Sequence, residues 1–178
     1  MTTTTAGLKT RSVKIDGPRP TKRENAEHGF RASTTLANDL QSVLVDLIEL
    51  HLQGKQAHWN VVGRNFRDLH LQLDEVVDAA REFSDAVAER LRALHATADG
   101  RTTTVSATTT LEPYPAGEIE TATVIDLITA RLDATVATAR KVHDAVDSED
   151  PTSADLLHAI IARLEQLSWM VSAENRVP

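Results

Sequence analysis

Residues 55–75 read KQAHWNVVGRNFRDLHLQLDE, and after a gap of nine residues the chain continues with DAVAE at 85–89. This stretch contains five side chains of the kinds that bind metal ions: His58, His70, Asp74, Asp85 and Glu89. The second and third are four residues apart, as are the last two, so on a helix each pair shares one face. Mixed imidazole and carboxylate ligands suit first-row metals such as iron, zinc or manganese. The stretch therefore predicts a metal site built on a helix.

The two ligand pairs are too far apart to bind one ion within a single chain. Residues 67–97 contain no Pro or Gly and are predicted to form one helix, with all four side chains on the same side of it. Asp74 and Asp85 are nevertheless separated by about 16 Å along the helix axis. An antiparallel copy of the helix, with a twofold axis near residues 78–80, would place the His70 pair of one chain opposite the Asp85 pair of the other. The spacing therefore predicts two identical sites in a dimer and no complete site in a monomer.

Composition narrows the protein class. A chain of 178 residues suits one domain with a sizeable core. The absence of cysteine excludes disulfides, thiolate metal sites and cysteine catalysis. Aromatic residues, Gly and Pro are scarce, whereas Ala, Leu, Val, Thr and charged residues dominate, which is typical of a helical bundle. No apolar run reaches membrane-spanning length and no apolar signal segment is present at the N-terminus, so we expect a cytoplasmic location.

The apolar periodicity predicts an all-α fold of four helices within residues 33–178. The first helix begins near 33–37 and ends near Gly63, and its apolar stripe includes Gly54, which would permit close approach by another helix. A short turn makes the second helix antiparallel to the first, so that His58 lies beside His70.

The third and fourth helices follow a long connection. Residues 100–117 are polar, with one short helical turn expected in their middle, and this crossover is typical of ferritin-like four-helix bundles. The third helix is predicted over 118–146. Asp150 is a favourable N-cap and Pro151 a favourable first residue for the fourth helix.

Residues 1–32 are predicted to be a disordered, basic N-terminal arm. Residues 1–31 contain seven basic and three acidic residues, a net charge of +4; since the whole chain carries −7, the remainder carries −11. A flexible basic arm on an acidic body favours sequence-independent contact with DNA phosphates. The alternative is an arm that aids solubility or assembly by folding back on the acidic body. The candidate DNA contacts are Lys9, Arg11, Lys14, Arg19, Lys22 and Arg23.

The ligand motif resembles that of the Dps family, the ferritin-like mini-ferritins known as DNA-binding proteins from starved cells. The resemblance covers about residues 35–174 and includes KQAHWN at 55–60 and NFRDLH at 65–70. It implies a dodecameric shell with ferroxidase sites at twofold subunit interfaces. It further implies that Asp85 and Glu89 act across the interface from the ligands His58, His70 and Asp74 of another subunit.

The resemblance also implies the chemistry. In this family Fe(II) is oxidised, preferably by hydrogen peroxide, and stored as a ferric oxide core. Trp59 and Trp169 resemble tryptophans near the family's site, and core packing is the alternative interpretation. Asp126 and Asp133 share one face of the third helix and are candidates for an acidic pore, with solvated surface acids as the alternative.

The sequence therefore predicts an iron-oxidising and iron-storing homo-oligomer that protects DNA and the cell from oxidative stress. The alternative is primarily a nucleoid-compacting DNA-binding structural protein in which the iron site is secondary. A third interpretation is a shell that prefers oxygen as the oxidant. Zinc could also occupy the site as an inhibitor, because zinc generally binds such ligands more tightly than Fe(II) does.

Overall fold

The computed structural model describes residues 29–176, and four long helices dominate it. In chain order the elements are α1 (Thr34–Asn60), β1 (Val61–Val62), α2 (Phe66–Ala93), α3 (Thr102–Thr108), β2 (Ile119–Glu120), α4 (Thr121–Glu149), α5 (Pro151–Ser172) and a 3-10 turn (Ala173–Asn175). The all-α, ferritin-like bundle predicted from the sequence is confirmed, including its long crossover between the second and third long helices. None of the helices in 29–176 has an apolar stretch of membrane-spanning length.

The long helices pack in the cyclic order α1, α2, α5, α4, around one apolar core. Leucines of all four helices are fully buried there, among them Leu40, Leu73, Leu132 and Leu157. The close approach predicted at Gly54 is confirmed, since a Cβ atom at this position would lie only 2.9 Å from Val77 Cγ2 on α2. The glycine therefore brings α1 and α2 close together in the half of the bundle that carries the candidate ligands.

A buried carboxylate and a buried guanidinium hold the crossover against the bundle. Asp46 is fully buried on α1, and its carboxylate accepts four hydrogen bonds. The donors are Thr109 Oγ1, Thr110 N, Thr110 Oγ1 and Thr138 Oγ1, at 2.7–2.9 Å. Arg131 on α4 donates to Gln53 Oε1 and to the carbonyls of Glu112 and Pro113, each at 3.1 Å. These contacts satisfy both buried charges with neutral partners of the crossover and of α1 and α4.

Two helix ends lie elsewhere than the sequence pattern indicates. The sequence pattern predicts a second helix that continues to residue 97, but α2 ends at Ala93, and His95 takes a left-handed backbone conformation (φ 62°). The residues that follow are held instead by Gln41, whose amide side chain exchanges two hydrogen bonds with the backbone of Asp99. Helix α1 ends at Asn60 rather than at Gly63, because Val61–Val62 pair in parallel with Ile119–Glu120.

Asp150 precedes α5 as predicted, but it does not cap the helix through its side chain. Its carboxylate accepts from Arg90 Nη2 at 2.6 Å and from Ser153 Oγ at 2.5 Å. Burial opposes ionisation of Asp150, but these hydrogen bonds outweigh it and lower its pKa. Asp150 therefore ties the start of α5 to α2 instead of satisfying the free amides of α5.

The candidate DNA contacts all lie outside the described residues, and the arm predicted over residues 1–32 remains a prediction. The bundle begins at Ser33, whose hydroxyl caps α1 by accepting from Leu36 N at 3.1 Å. Ser33 also donates its amide and hydroxyl to the carboxylate of Glu149 at 2.7 and 2.6 Å. This pair joins the start of α1 to the end of α4.

Candidate metal centre

His58 and His70 form a reciprocal pair between the end of α1 and the start of α2. Each ring places its Nδ1 3.0 Å from the other residue's backbone carbonyl oxygen. The rings are stacked, with centroids 3.7 Å apart. Because a carbonyl can only accept, the proton of each neutral imidazole lies on Nδ1, which leaves its Nε2 with a free lone pair. This is the tautomer that a histidine needs to bind a metal through Nε2.

Asp74 lies within reach of the same pair, one helical turn after His70. Its Oδ1 is 3.2 Å from His58 Nδ1 and 2.6 Å from Lys55 Nζ. The hydrogen bond from Lys55 lowers the pKa of the Asp74 carboxyl, against the opposing effect of burial, and the neighbouring histidines lower it further. Asp74 is thus an ionised carboxylate beside two imidazoles, with an ammonium group bound to it.

Lys55 is the residue of this site that the sequence reasoning did not single out as functional. It lies three residues before His58 on the same face of α1, and this spacing is the feature of the sequence that indicates a place near the site. A lysine at a helix surface is ordinarily solvated, so only the contact with Asp74 reveals its place in the site.

Asp85 and Glu89 lie apart from these three residues, as the helical spacing predicts. Both are exposed on α2, and within the described part of the chain neither makes a hydrogen bond or ion pair. Asp85 lines an open groove of about 620 Å³, together with Asp78 and Arg81 of α2 and Leu44 of α1. These two carboxylates are therefore free to bind an ion that approaches from outside the subunit.

One subunit does not bring the five candidate ligands together. Across residues 29–176, no three or more His, Cys, Asp or Glu side chains are arranged to hold one metal ion. His58, His70 and Asp74 come together, but both Nδ1 atoms bond to backbone carbonyls and Lys55 binds the carboxylate. Asp85 and Glu89 do not join these three candidates within the subunit, since Asp74 and Asp85 are about 16 Å apart along α2.

The two tryptophans lie in different places, and the candidate pore acids lie beside one of them. Trp59 follows His58 directly, and its side chain is 70% exposed, so it does not pack in the core of the subunit. Trp169 is 61% exposed and lines a groove of about 570 Å³ with Asp126 and Asp133. Asp126 accepts a hydrogen bond from Asn175, and Asp133 accepts one from Ser168. The structure thus brings Asp126, Asp133 and Trp169 together on α4 and α5, apart from the histidine pair.

Comparisons with known proteins agree with this fold. A model of the ferritin-like domain matches residues 37–176. The chain is 35% identical over 137 residues to "DNA protection during starvation protein 2" of Deinococcus radiodurans, covering 75% of this chain and only 56% of that protein. It is 33% identical to the "DNA protection during starvation protein" of Agrobacterium fabrum, covering 80% of this chain and 88% of the relative.

Solved structures of Dps proteins share this fold. The structure of Dps from Microbacterium arborescens "in the high iron form" superposes with a TM-score of 0.76 at 32% identity, covering 82% of this chain and 98% of that one. A bundle of this topology, its match to the ferritin-like domain and relatives that align over most of their length together identify the family. The chain belongs to the ferritin-like Dps family.

Proposed function

We propose that this chain is the subunit of a dodecameric shell that oxidises Fe(II), preferably with hydrogen peroxide, and stores the product as a ferric core. The observation that carries the proposal is the stacked pair of His58 and His70 beside Asp74. Both imidazoles are held in the tautomer that binds metal, and the carboxylate is ionised. Iron is the substrate and the cargo of this site.

The site is completed by a second subunit. Asp85 and Glu89 are unpaired in the described part of the chain, and a twofold axis near residues 78–80 would bring them to the partner's histidine pair. Exposed apolar side chains also border the turn between α1 and α2: Trp59, Val62, Phe66 and Leu71 are 39–70% exposed. A patch of this kind beside a half-built site favours coverage by another copy of the chain.

The chemistry requires two iron ions for each peroxide. Two Fe(II) give up one electron each, hydrogen peroxide takes both electrons and two protons, and two water molecules leave. One-electron reduction of peroxide, which releases hydroxyl radical, is thereby avoided. The carboxylates of Asp74, Asp85 and Glu89 favour the more highly charged Fe(III) product, since hard oxygen ligands stabilise hard cations.

The experiment is anaerobic loading with Fe(II), followed by hydrogen peroxide and recording of ferric absorbance. We expect fast oxidation at about two Fe(II) per peroxide in the wild type, and its loss in Asp85→Ala plus Glu89→Ala. Glu118→Ala plus Asp147→Ala removes two exposed carboxylates from other segments and serves as the matched control. Equal slow oxidation in wild type and in the Asp85/Glu89 variant would contradict the proposal. Repeating the reaction with air as oxidant distinguishes a preference for peroxide from one for oxygen.

A second candidate function is DNA binding by the basic arm, in a protein that is cytoplasmic and associated with the nucleoid. Its support is the net charge of +4 in residues 1–31 against −11 in the remainder. An acidic shell would repel DNA unless the arms bind it, and twelve weak arms would act together through avidity. Deletion of residues 1–32 should abolish the gel shift of duplex DNA and leave iron oxidation intact. If the deleted protein still shifts DNA, the arm is not the contact.

A further inference from the structure

Two histidines that take no part in the iron site face each other across α4 and α5. His143 Nε2 and His158 Nε2 are 2.7 Å apart, and the ring centroids are 4.5 Å apart. The rings border a cavity of about 310 Å³ that is also lined by Arg140, Asp144 and Glu165. The iron site is carried by α1 and α2, so this pair belongs to the other two long helices of the bundle.

Two neutral imidazoles cannot place their protons favourably at every ring nitrogen of this pair, so an added cation, either a proton or a metal ion, is needed between the two Nε2 atoms. His143 Nδ1 is 3.1 Å from Asp144 Oδ1, and His158 Nδ1 is 3.7 Å from a carboxylate oxygen of Asp155. A carboxylate accepts, so it favours a proton on each Nδ1. Both Nε2 atoms then present lone pairs to each other at 2.7 Å, which is repulsive unless a cation lies between them. In the other neutral arrangement, one ring donates its Nε2–H to the Nε2 of the other ring. The donor ring then has no proton on Nδ1, and the Nδ1 lone pair faces a carboxylate, which is repulsive.

We propose that His143 and His158 chelate a borderline first-row divalent cation such as Ni²⁺ or Zn²⁺. Zn–N bonds of about 2.0–2.1 Å in tetrahedral geometry require the two Nε2 atoms to be about 3.3 Å apart. The rings must therefore separate by only about 0.6 Å. Both rings have room to do so, because the His158 side chain is 60% exposed and that of His143 is 22% exposed. Water molecules complete the coordination.

The surroundings support a cation at this position. Asp144 Oδ1 lies within hydrogen-bond distance of His143 Nδ1, which is the arrangement in which a carboxylate orients a metal-binding histidine and makes it more basic, and Asp155 adds negative charge near His158. Glu165 is already neutralised by its ion pair with Arg140. The local charge left over is therefore negative. Because the part of the chain described here has no group of three or more potential ligands, we expect an exchangeable ion of moderate affinity and not a structural one.

The test measures Ni²⁺ binding to the assembled full-length protein by equilibrium dialysis. We expect His143→Ala plus His158→Ala to bind one equivalent per subunit fewer than the wild type. Each single variant should lose at least about tenfold in affinity, because one imidazole cannot chelate. Asp85→Ala plus Glu89→Ala, which removes ligands of the proposed iron site, should retain this equivalent. His158 is exposed and His143 is partly exposed, so the variants should fold and assemble normally.

A second readout separates this site from the iron site. The rate of iron oxidation by His143→Ala plus His158→Ala should equal that of the wild type. This expectation holds whether or not the Asp85/Glu89 variant loses iron oxidation. The proposal is overturned if wild type and the double histidine variant bind the same number of Ni²⁺ ions. It is equally overturned if either single variant keeps full affinity, since the pair would then be only hydrogen-bonded.

Discussion

Lys55 is predicted to compete with the metal ion for Asp74. An incoming cation must displace the ammonium group, whose Nζ lies 2.6 Å from Asp74 Oδ1. The two side chains are 32% and 39% exposed, so solvent screens the charges. The interaction free energy of this ion pair is therefore about 0.2–1 kcal/mol, as for other exposed pairs. Replacing Lys55 by Met removes this competitor and the repulsion between two cations. We therefore expect Lys55→Met to raise the metal affinity of the site by about 1.5- to 5-fold.

The assay is calorimetric titration of the assembled protein with Co²⁺, which binds similar ligands without being oxidised by air on this time scale. The His143→Ala plus His158→Ala background removes binding at the second proposed site. Lys55→Arg keeps the charge and should leave the affinity close to the wild-type value. Lys141→Met removes an exposed cation from α4 and controls for net charge. Weaker binding in Lys55→Met would refute the reasoning, because Lys55 would then be needed to position Asp74.

Three further predictions concern the stability of the bundle. Asp46→Ala leaves buried donors without an acceptor and should lower the free energy of unfolding by about 3 kcal/mol or more, as measured by urea denaturation. Gly54→Ala should destabilise by about 1 kcal/mol, although alanine is the better helix former, because Val77 must move; a rise in stability would show that α1 and α2 are less closely packed. The pKa of Asp150 is lowered on folding, so its stabilisation is present above its ordinary value of 3.8 and is lost as the pH falls towards the lower, folded value. Asp150→Asn should therefore flatten the fall in stability below about pH 4, and an unchanged acid profile would contradict this assignment.

The bundle, and the helix faces on which the candidate ligands lie, could be predicted from the sequence because both depend on local spacing. An apolar stripe with helical period identifies a long helix, and ligands four residues apart on it must share a face. The contact at Gly54 was predictable for the same reason, since a small residue within an apolar stripe allows close approach. The separation of Asp74 from Asp85 also follows from helix geometry alone.

The remaining features depend on partners far away in the chain. Asp46 meets Thr138 across 92 positions, and no pattern around Asp46 indicates this contact. The pairing of Val61–Val62 with Ile119–Glu120 is two residues long, which is too short for any strand period. The early end of α2 is accompanied by the left-handed conformation of His95 and by the hydrogen bonds of Asp99 with Gln41, a residue far away in the chain.

The central claim is that each iron site takes ligands from two subunits, and co-assembly of two inactive variants tests it most directly. One variant is His70→Ala plus Asp74→Ala, and the other is Asp85→Ala plus Glu89→Ala. If the two are co-expressed equally and pair at random, half of the dimers are mixed, and each mixed dimer regains one of its two sites. Shared sites therefore predict recovery of about a quarter of the wild-type rate of iron oxidation with peroxide. No recovery in a fully assembled mixed shell would contradict the claim, because each site would then be built within one subunit.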